Sequence, residues 1–365
     1  MIRALSALAR PWLSWLPPES AHRAAIAALK FMPGSQTTAP DYRLAFDALG
    51  LHFAHPLGLA AGFDKNAEVP DALLALGFSF VEVGTLTPLP QAGNAKPRLF
   101  RLPADAALVN RMGFNNHGFE AARARLTARA SSGIVGVNFG PNKDAIDRIA
   151  DYVLGMTTFA ASASWFTINI SSPNTAGLRD LQRREALDGL VARVIEAREA
   201  VRPRRPVLIK IAPDLDLRGL DDIVEVATSR GADGLIVSNT TVARPPTLRD
   251  PRSRETGGLS GRPLFPASTQ LLARAYLRCE GALTLIGCGG IEDSATALAK
   301  IQAGATLLQL YTSFAYRGPQ VIDDILDGLS VAVSTSGAQS IASLVGAQAR
   351  DFAAATRAGA RDQLF

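Results

Sequence analysis

Residues 165–175 read WFTINISSPNT, an apolar run that changes abruptly into amides, hydroxyls and a proline. The run predicts a buried strand, and the polar half predicts a rigid loop after it. Two carboxamides and three hydroxyls in the last seven positions can hydrogen-bond a planar polar ligand, while Pro173 fixes the backbone. The loop has no histidine, cysteine or carboxylate, so any proton chemistry here falls to its hydroxyls. A turn capped by serine and asparagine is the alternative for this loop taken alone.

The same apolar runs recur from residue 56 onward and alternate with helical stretches rich in alanine, leucine and arginine. The runs predict strands at residues 57–61, 80–83, 134–139, 166–170, 207–211, 234–237, 283–287 and 307–310. The stretches predict helices near residues 67–76, 116–130, 146–162, 182–201, 217–229, 265–279, 293–303 and 319–330. Eight alternations predict an α/β fold, a TIM-type (β/α)8 barrel with a small N-terminal helical segment. A doubly wound open sheet is the alternative, but no Gly-x-Gly-x-x-Gly opens a first helix.

Polar residues follow every predicted strand. In chain order they are residues 62–66, Gly84, Thr85, Asn138, Asn169, Ser172, Lys210, residues 238–241, residues 287–290 and residues 311–313. In such a barrel the carboxyl ends of the strands form the face that carries active sites. Eight convergent polar strand ends therefore favour a binding site over eight unrelated caps.

Two glycine-rich stretches and one lysine add detail to this site. Residues 257–261 and 287–290 are predicted to be turns before helices, where backbone N–H groups can surround a phosphate. Lys210 lies on an apolar strand and is costly to bury unless it faces an anion or an electron-rich ring. Residues 110–116 form a long loop before the third strand, which is typical of a substrate lid.

The start of the chain differs from the rest in charge and aromatic content. Residues 1–38 contain four basic residues and one acidic residue, so they carry +3 of the total net charge of +5. Residues 2–16 and about 19–31 predict two helices, and residues 35–41 predict a linker. Two tryptophans and the basic excess favour a helix in a membrane interface, with a hairpin packed on the main domain as the alternative.

Composition excludes several classes of protein. The 365 residues are 47% hydrophobic and 19% charged, which is typical of an ordinary globular protein. No basic stripe with interleaved aromatics supports nucleic-acid binding, and no stretch reaches ~18 uninterrupted apolar residues. Cys279 and Cys288 are too few for a disulfide framework and too far apart for a metal pair. We therefore expect no metal site, no nucleic-acid partner and a reducing compartment.

Eight motifs along the chain resemble one family. They are residues 62–66, 96–102, 110–116, 169–175, 210–214, 238–241, 256–263 and 286–291. In this order they are similar to the membrane-associated, quinone-dependent dihydroorotate dehydrogenases, from about residue 17 to residue 348. The resemblance implies an FMN enzyme that oxidises (S)-dihydroorotate to orotate in pyrimidine biosynthesis and passes the electrons to ubiquinone or menaquinone.

The resemblance also implies the site residues. FMN would contact Ala61, Gly62, Phe63, Asp64, Lys65, Thr85, Asn138, Asn169, Lys210, Ser238, Gly261, Gly290, Tyr311 and Thr312. Substrate would contact Lys65, Asn110, Arg111, Met112, Gly113, Phe114, Asn169, Asn174, Asn239 and Thr240. The quinone site would include His22, Arg23, Arg101 and Tyr311. Ser172 takes the place of the catalytic base and Thr175 that of a proton relay.

Ser172 also bears on the class, because soluble relatives carry a cysteine there. A soluble homologue using fumarate or NAD is the first alternative, although no cysteine-rich iron–sulfur signature supports it. A non-redox barrel isomerase acting on a phosphorylated sugar and a membrane-binding scaffold are the others. Two departures from the family pattern are Ser238, where many members have threonine, and Cys288, where valine is common.

Taken together, the sequence predicts three segments. Residues 1–38 form the membrane-associating and quinone-access segment, residues 39–348 the FMN-binding barrel, and residues 349–365 an extension of unknown role. We expect a monomer or weak homo-oligomer that lies peripherally on the cytoplasmic face of the cell membrane.

Overall fold

The computed structural model describes residues 15–32 and 39–355. The strands are β1 Phe46–Ala48, β2 Leu51–Phe53, β3 Leu57–Leu59, β4 Phe80–Leu86, β5 Leu99–Leu102, β6 Ala107–Asn110, β7 Ile134–Phe139, β8 Trp165–Asn169, β9 Val207–Ile211, β10 Gly234–Val237, β11 Gly258–Gly261, β12 Thr284–Cys288 and β13 Leu307–Leu310. The helices are α1 Pro18–Lys30, α2 Pro70–Ala75, α3 Gly118–Thr127, α4 Arg148–Phe159, α5 Arg184–Ala200, α6 Leu217–Arg230, α7 Phe265–Cys279, α8 Ser294–Gln302, α9 Thr312–Arg317, α10 Gln320–Ser336 and α11 Ala349–Ala354.

Eight parallel strands close into a barrel in the order β10-β12-β13-β3-β4-β7-β8-β9. They are the eight predicted strands, with boundaries shifted by at most a few residues, so the predicted fold is confirmed. Two glycines let large rings fill the interior. A Cβ at Gly58 would lie 2.3 Å from the Phe80 ring, and one at Gly136 would lie 2.2 Å from the Trp165 ring. Neither position can carry a side chain while the aromatic residue beside it stays buried.

A short hairpin closes the amino-terminal end of the barrel, and the sequence pattern did not predict it. Strands β1 and β2 pair antiparallel through a turn in which Leu49 and Gly50 both have positive φ, at 56° and 69°. This is the two-residue turn that suits the twist of a hairpin. Phe53 is fully buried, with its ring 5.4 Å from Phe80 and 6.3 Å from Trp165. The hairpin therefore seals the hydrophobic interior at this end.

A small antiparallel sheet, in the order β11-β6-β5, lies over the opposite end. The prediction of a glycine-rich turn at residues 257–261 was wrong in part, because Gly258–Gly261 is the strand β11 paired with β6. The glycines allow close backbone approach instead. A Cβ at Gly257 would lie 2.3 Å from the Asn110 carbonyl oxygen, and one at Gly258 would lie 1.9 Å from Thr240 Oγ1.

Helix α1 confirms the predicted second N-terminal helix and begins with Pro18 in its first turn. Its inner face buries Ala21 and Ile26, while the Glu19 carboxylate pairs with Arg98 at 2.8 Å. Residues 1–14, and with them nearly all of the predicted first helix, lie outside the described residues, as do linker residues 33–38. Within residues 15–32 and 39–355, no helix is long and apolar enough to cross a membrane.

At the other end of the chain, α11 gives part of the predicted extension a position. It lies against α7, where Arg274 Nε donates to the Ala353 carbonyl oxygen at 3.1 Å and Gln270 donates to that of Ala355. Residues 356–365 lie outside the described part of the chain.

Because Phe53 fills the closed end of the barrel, Phe53→Ala should lower the free energy of unfolding by about 3–5 kcal/mol. Urea unfolding followed by circular dichroism measures the change. Phe31→Ala is the matched control, because the Phe31 side chain is 88% exposed and its loss should change the free energy by less than about 0.5 kcal/mol. Equal effects of the two substitutions would contradict a sealing role for the hairpin.

Candidate active site

One deep pocket opens at the carboxyl ends of the barrel strands, beneath the sheet formed by β5, β6 and β11. It encloses roughly 1200 Å³ of space, part of it open to solvent. The predicted site residues that line it are Ala61, Gly62, Lys65, Thr85, Asn110, Met112, Gly113, Phe114, Asn169, Ser172, Asn174, Lys210, Ser238, Asn239, Thr240, Gly261, Gly290, Tyr311 and Thr312. The structure thus brings together residues from seven of the eight strand ends and from the covering loop, while their individual roles stay predictions.

The floor of the pocket is a network of amides above a buried carboxylate, Glu82, which sequence reasoning missed. Asn138 Nδ2 donates to Glu82 at 2.8 Å, and its Oδ1 accepts from Thr85 Oγ1 at 2.6 Å and Asn169 Nδ2 at 3.2 Å. Asn138 is fully buried beneath the pocket and does not line it. Any contact of Asn138 with a ligand would therefore pass through Thr85 or Asn169.

Ser172 lies in the loop after β8 and is 6% exposed. Its Oγ accepts a hydrogen bond from the Asn174 backbone N–H at 3.2 Å. This donor stabilises negative charge on the oxygen, which favours loss of the hydroxyl proton. Asn174 is held in turn from above, because its Nδ2 donates to Asn110 Oδ1 at 3.3 Å. Thr175 is also buried but does not line the pocket.

Arg179, a second residue missed from sequence, links this loop to its neighbour. Its guanidinium donates to the carbonyl oxygens of Ser171 and Thr240, each at 3.0 Å, and pairs with Asp214 at 2.9 Å. The Asp214 carboxylate also accepts from Thr241 Oγ1. Polar loops from two strands are thereby fixed relative to each other.

Two lysines bring positive charge to the pocket. Lys65 Nζ donates to the Gly62 carbonyl oxygen at 2.5 Å, and burial lowers the pKa of this lysine to about 8. Lys210 is 5% exposed, and its ammonium has no hydrogen-bond or ion-pair partner within residues 15–32 and 39–355. The described residues that line the pocket include no histidine and no carboxylate. The site is therefore suited to an anionic ligand with a polar planar part.

Four predicted contacts lie elsewhere. The Asp64 carboxylate accepts from the backbone N–H groups of Glu68 and Val69, both at 2.8 Å, so it shapes the loop. Arg111 pairs with Glu255 at 2.8 Å in the covering loops, outside the pocket lining. The remaining two are Phe63, which does not line the pocket, and Arg23, which is exposed on α1.

Aromatic rings connect helix α1 with the pocket. The His22 ring lies 5.2 Å from that of Phe63, which lies 5.9 Å from the pocket residue Tyr311. Burial lowers the pKa of His22 to about 3, so its imidazole is neutral at pH 7. Arg101 donates to the Leu16 carbonyl oxygen at 2.8 Å, at the start of α1. His22, Arg101 and Tyr311, three of the four predicted quinone-site residues, thus lie where α1 meets the barrel.

The fold and the site together define a (β/α)8-barrel enzyme with a cationic, amide-rich pocket. A family model described as dihydroorotate dehydrogenase matches residues 43–333. A protein of Bradyrhizobium diazoefficiens named dihydroorotate dehydrogenase (quinone) is 57% identical over 354 residues, covering 96% of this chain and 97% of that protein. A Rhodopseudomonas palustris protein of the same name has the same identity and coverage. This chain belongs to the dihydroorotate dehydrogenase family.

The solved structures agree with this assignment. The crystal structure of DHODH from Eimeria tenella in complex with ferulenol has a TM-score of 0.87 and 39% sequence identity. The match covers 91% of this chain and 96% of that chain. The resemblance inferred from eight sequence motifs is therefore confirmed.

Proposed function

We propose that this protein oxidises dihydroorotate to orotate with FMN as its cofactor and passes the electrons to a membrane quinone. The observation that carries the proposal is the pocket itself, in which Ser172 lies together with two lysines and five asparagines. No histidine or carboxylate lines the described pocket, which supports Ser172 as the base.

The residues present fit FMN. The unpartnered ammonium of Lys210 suits the electron-rich edge of the isoalloxazine ring, and Thr85 and Asn169, which are hydrogen-bonded to Asn138, line the same pocket. The backbone N–H groups of Gly289 and Gly290 have no acceptor in the described chain and suit a phosphate. When bound, FMN supplies a ring nitrogen that accepts a hydride.

Side chains of this protein would take a proton from the substrate, pair with its carboxylate and orient its ring. Oxidation of dihydroorotate removes a proton from C5 and a hydride from C6, and Ser172 Oγ takes the proton. The hydroxyl proton of Ser172 leaves toward solvent through Thr175, and the Asn174 N–H stabilises the negative charge that develops on the oxygen as that proton leaves. The ammonium of Lys65 pairs with the substrate carboxylate. Asparagine amides at Asn110, Asn174 and Asn239 orient the ring by complementary hydrogen bonds.

The quinone would arrive along α1. Trp15 and Phe31 flank the described helix and are each 88% exposed, which supports contact with a membrane interface. Residues 1–38 accordingly form the membrane-associating segment, residues 39–348 the barrel and residues 349–365 the extension. The protein would lie peripherally on the cytoplasmic face of the membrane as a monomer or weak homo-oligomer.

Anaerobic addition of dihydroorotate to the purified protein tests cofactor and substrate together. We expect a yellow protein whose flavin absorbance bleaches, and then recovers when a quinone analogue is added. A colourless protein would favour the isomerase alternative, and recovery with fumarate or NAD but not with quinone would favour the soluble class.

Ser172→Ala should slow flavin bleaching by at least ~10²-fold, because the substitution removes a positioned base. Orotate should still bind, which a spectral titration of the oxidised protein checks. Ser162→Ala is the matched control, since Ser162 lies between α4 and β8 and outside the pocket. An unchanged bleaching rate in Ser172→Ala would remove Ser172 from the mechanism.

The pKa of Lys65 predicts how orotate binding depends on pH. Below about pH 8 the lysine is charged and holds the carboxylate, and above that value the charge and the affinity are lost. We expect the orotate dissociation constant to be flat from pH 6 to 7 and to rise above pH 8. Lys65→Met should weaken binding at least ~10-fold at pH 7 and abolish this rise. If the orotate dissociation constant of Lys65→Met rose above pH 8 by the same factor as that of the wild type, the pH dependence would belong to another group.

Exposed aromatic residues beside α1 should control access to long-tailed quinones. The double variant Trp15→Glu, Phe31→Glu should bind anionic vesicles at least ~10-fold more weakly, because two apolar side chains that would enter the membrane interface are replaced by charged ones. Turnover with a short-tailed soluble quinone should stay normal. Val331→Glu is the control, since this exposed residue lies on α10, far along the chain from α1. Equal vesicle binding by the double variant and the wild type would contradict membrane contact by α1.

A further inference from the structure

Lys300 on α8 is a buried cation for which the proposed reaction has no use. Its side chain is fully buried, and none of the carboxylates in the described residues forms an ion pair with it. Its ammonium donates to Ser268 Oγ at 2.6 Å and lies 5.4 Å from the centroid of the Phe265 ring. A buried ammonium without a counter-charge is costly, so a nearby anion is expected when the protein is loaded.

Ser268 connects this cation to the glycine turn at the pocket. Its Oγ donates to the Gly289 carbonyl oxygen at 2.9 Å. That carbonyl shares a trans peptide with the Gly290 N–H, and the two groups point in opposite directions. The Gly290 N–H has no acceptor within residues 15–32 and 39–355, and both glycines line the pocket. The hydrogen bond from Ser268 to the Gly289 carbonyl oxygen therefore orients the Gly290 N–H toward a ligand in the pocket.

We propose that Lys300 is a positioning residue for the phosphate of the cofactor. Through Ser268 it fixes the Gly289–Gly290 peptide with its N–H toward the pocket, and it places a positive charge behind the bound anion. Lys300 does not touch the ligand itself. The inference rests on the proposed function, because it requires a phosphorylated flavin at this turn.

The surroundings of Lys300 support a role that depends on its charge. Burial lowers the pKa of Lys300 to about 7, so the group titrates near neutral pH. Three side chains face the Lys300 ammonium, namely Cys288 on β12 and Ser268 and Phe265 on α7. Burial raises the pKa of the Cys288 thiol. Among the described residues, Cys288 is the titratable neighbour of Lys300, and its raised pKa keeps the thiol neutral between pH 6 and pH 8. A bound anion favours the charged ammonium, so Lys300 should contribute most to affinity below pH 7.

The experiment compares FMN with riboflavin, which has the same ring system but no phosphate. Apoprotein of the wild type and of Lys300→Met is titrated with each flavin at pH 6 and pH 8, and the quenching of flavin fluorescence is followed. In Lys300→Met the FMN affinity at pH 6 should fall ~10- to 100-fold, as for loss of a charge-assisted hydrogen bond. The riboflavin affinity should be unchanged, because no phosphate is present.

The pH arm separates a charge effect from simple packing. The cofactor phosphate has its own pKa of about 6, which favours binding as pH rises in both proteins. The ratio of wild-type to variant FMN affinity removes this contribution and should be larger at pH 6 than at pH 8. Ser268→Ala, which keeps the lysine, should also lower FMN affinity but not riboflavin affinity. Lys210→Met is the contrast, since it faces the ring and should weaken both flavins alike.

Equal losses of FMN and riboflavin affinity in Lys300→Met would overturn the proposal, and so would an unchanged FMN affinity. If Lys300→Met does not fold, the Ser268→Ala variant is the test. The proposal is overturned if Ser268→Ala prefers FMN over riboflavin by the same factor as the wild type. Wild-type protein that binds neither flavin would instead refute the proposed function, which keeps the two failures distinct.

Discussion

Hydrogen bonds to the buried Glu82 carboxylate set the direction of every amide on the pocket floor. A carboxylate only accepts, so Asn138 must present its Nδ2 to Glu82 and its Oδ1 toward Thr85 and Asn169. Asn169 then presents its own Oδ1 to Asn239 Nδ2 at 3.3 Å. The donor and acceptor sides of two pocket amides, those of Asn169 and Asn239, are thus fixed by a carboxylate inside the barrel. This fixed polarity suits the proposed ring-shaped ligand, which carries both amides and carbonyls.

The catalytic loop depends on a different constraint, because it follows β8 and has no regular structure of its own. Arg179 compensates by holding two loop carbonyls at once, and Asp214 keeps the guanidinium in place. A base that is displaced by about 1 Å can lose ~10²-fold in rate, so this linkage bears on the reaction although Arg179 lies outside the pocket. The geometry of this loop is therefore set from both sides, which supports the proposed role of Ser172 as a base without a histidine.

The sequence was sufficient for the barrel because each strand combines an apolar run with a polar end, a pattern that recurs eight times. It was insufficient for β1 and β2, because strands of three residues are too short to show the alternation of apolar and polar residues that predicts a strand. The strand β11 was mistaken for a turn because its glycines serve close packing against Asn110 and Thr240. Most pocket residues were predicted from their position at strand ends, and the motif resemblance supplied their individual roles. Glu82 and Lys300 are fully buried only in the folded chain, and in sequence they are ordinary charged residues.

Positive charge exceeds negative charge around this pocket. Lys210 and Lys300 are buried and Lys65 is partly buried, whereas Glu82 is the carboxylate inside the described barrel. Desolvating these ammonium groups costs free energy and opposes folding. The same desolvation lowers the pKa values of Lys65 and Lys300. An anion bound in the pocket would offset part of this cost, so ligand binding and folding are coupled. A ligand at 100 times its dissociation constant adds about 2.7 kcal/mol to the free energy of unfolding. The aromatic rings packed at the closed end of the barrel, by contrast, stabilise the fold independently of any ligand, because they lie at the opposite end from the pocket.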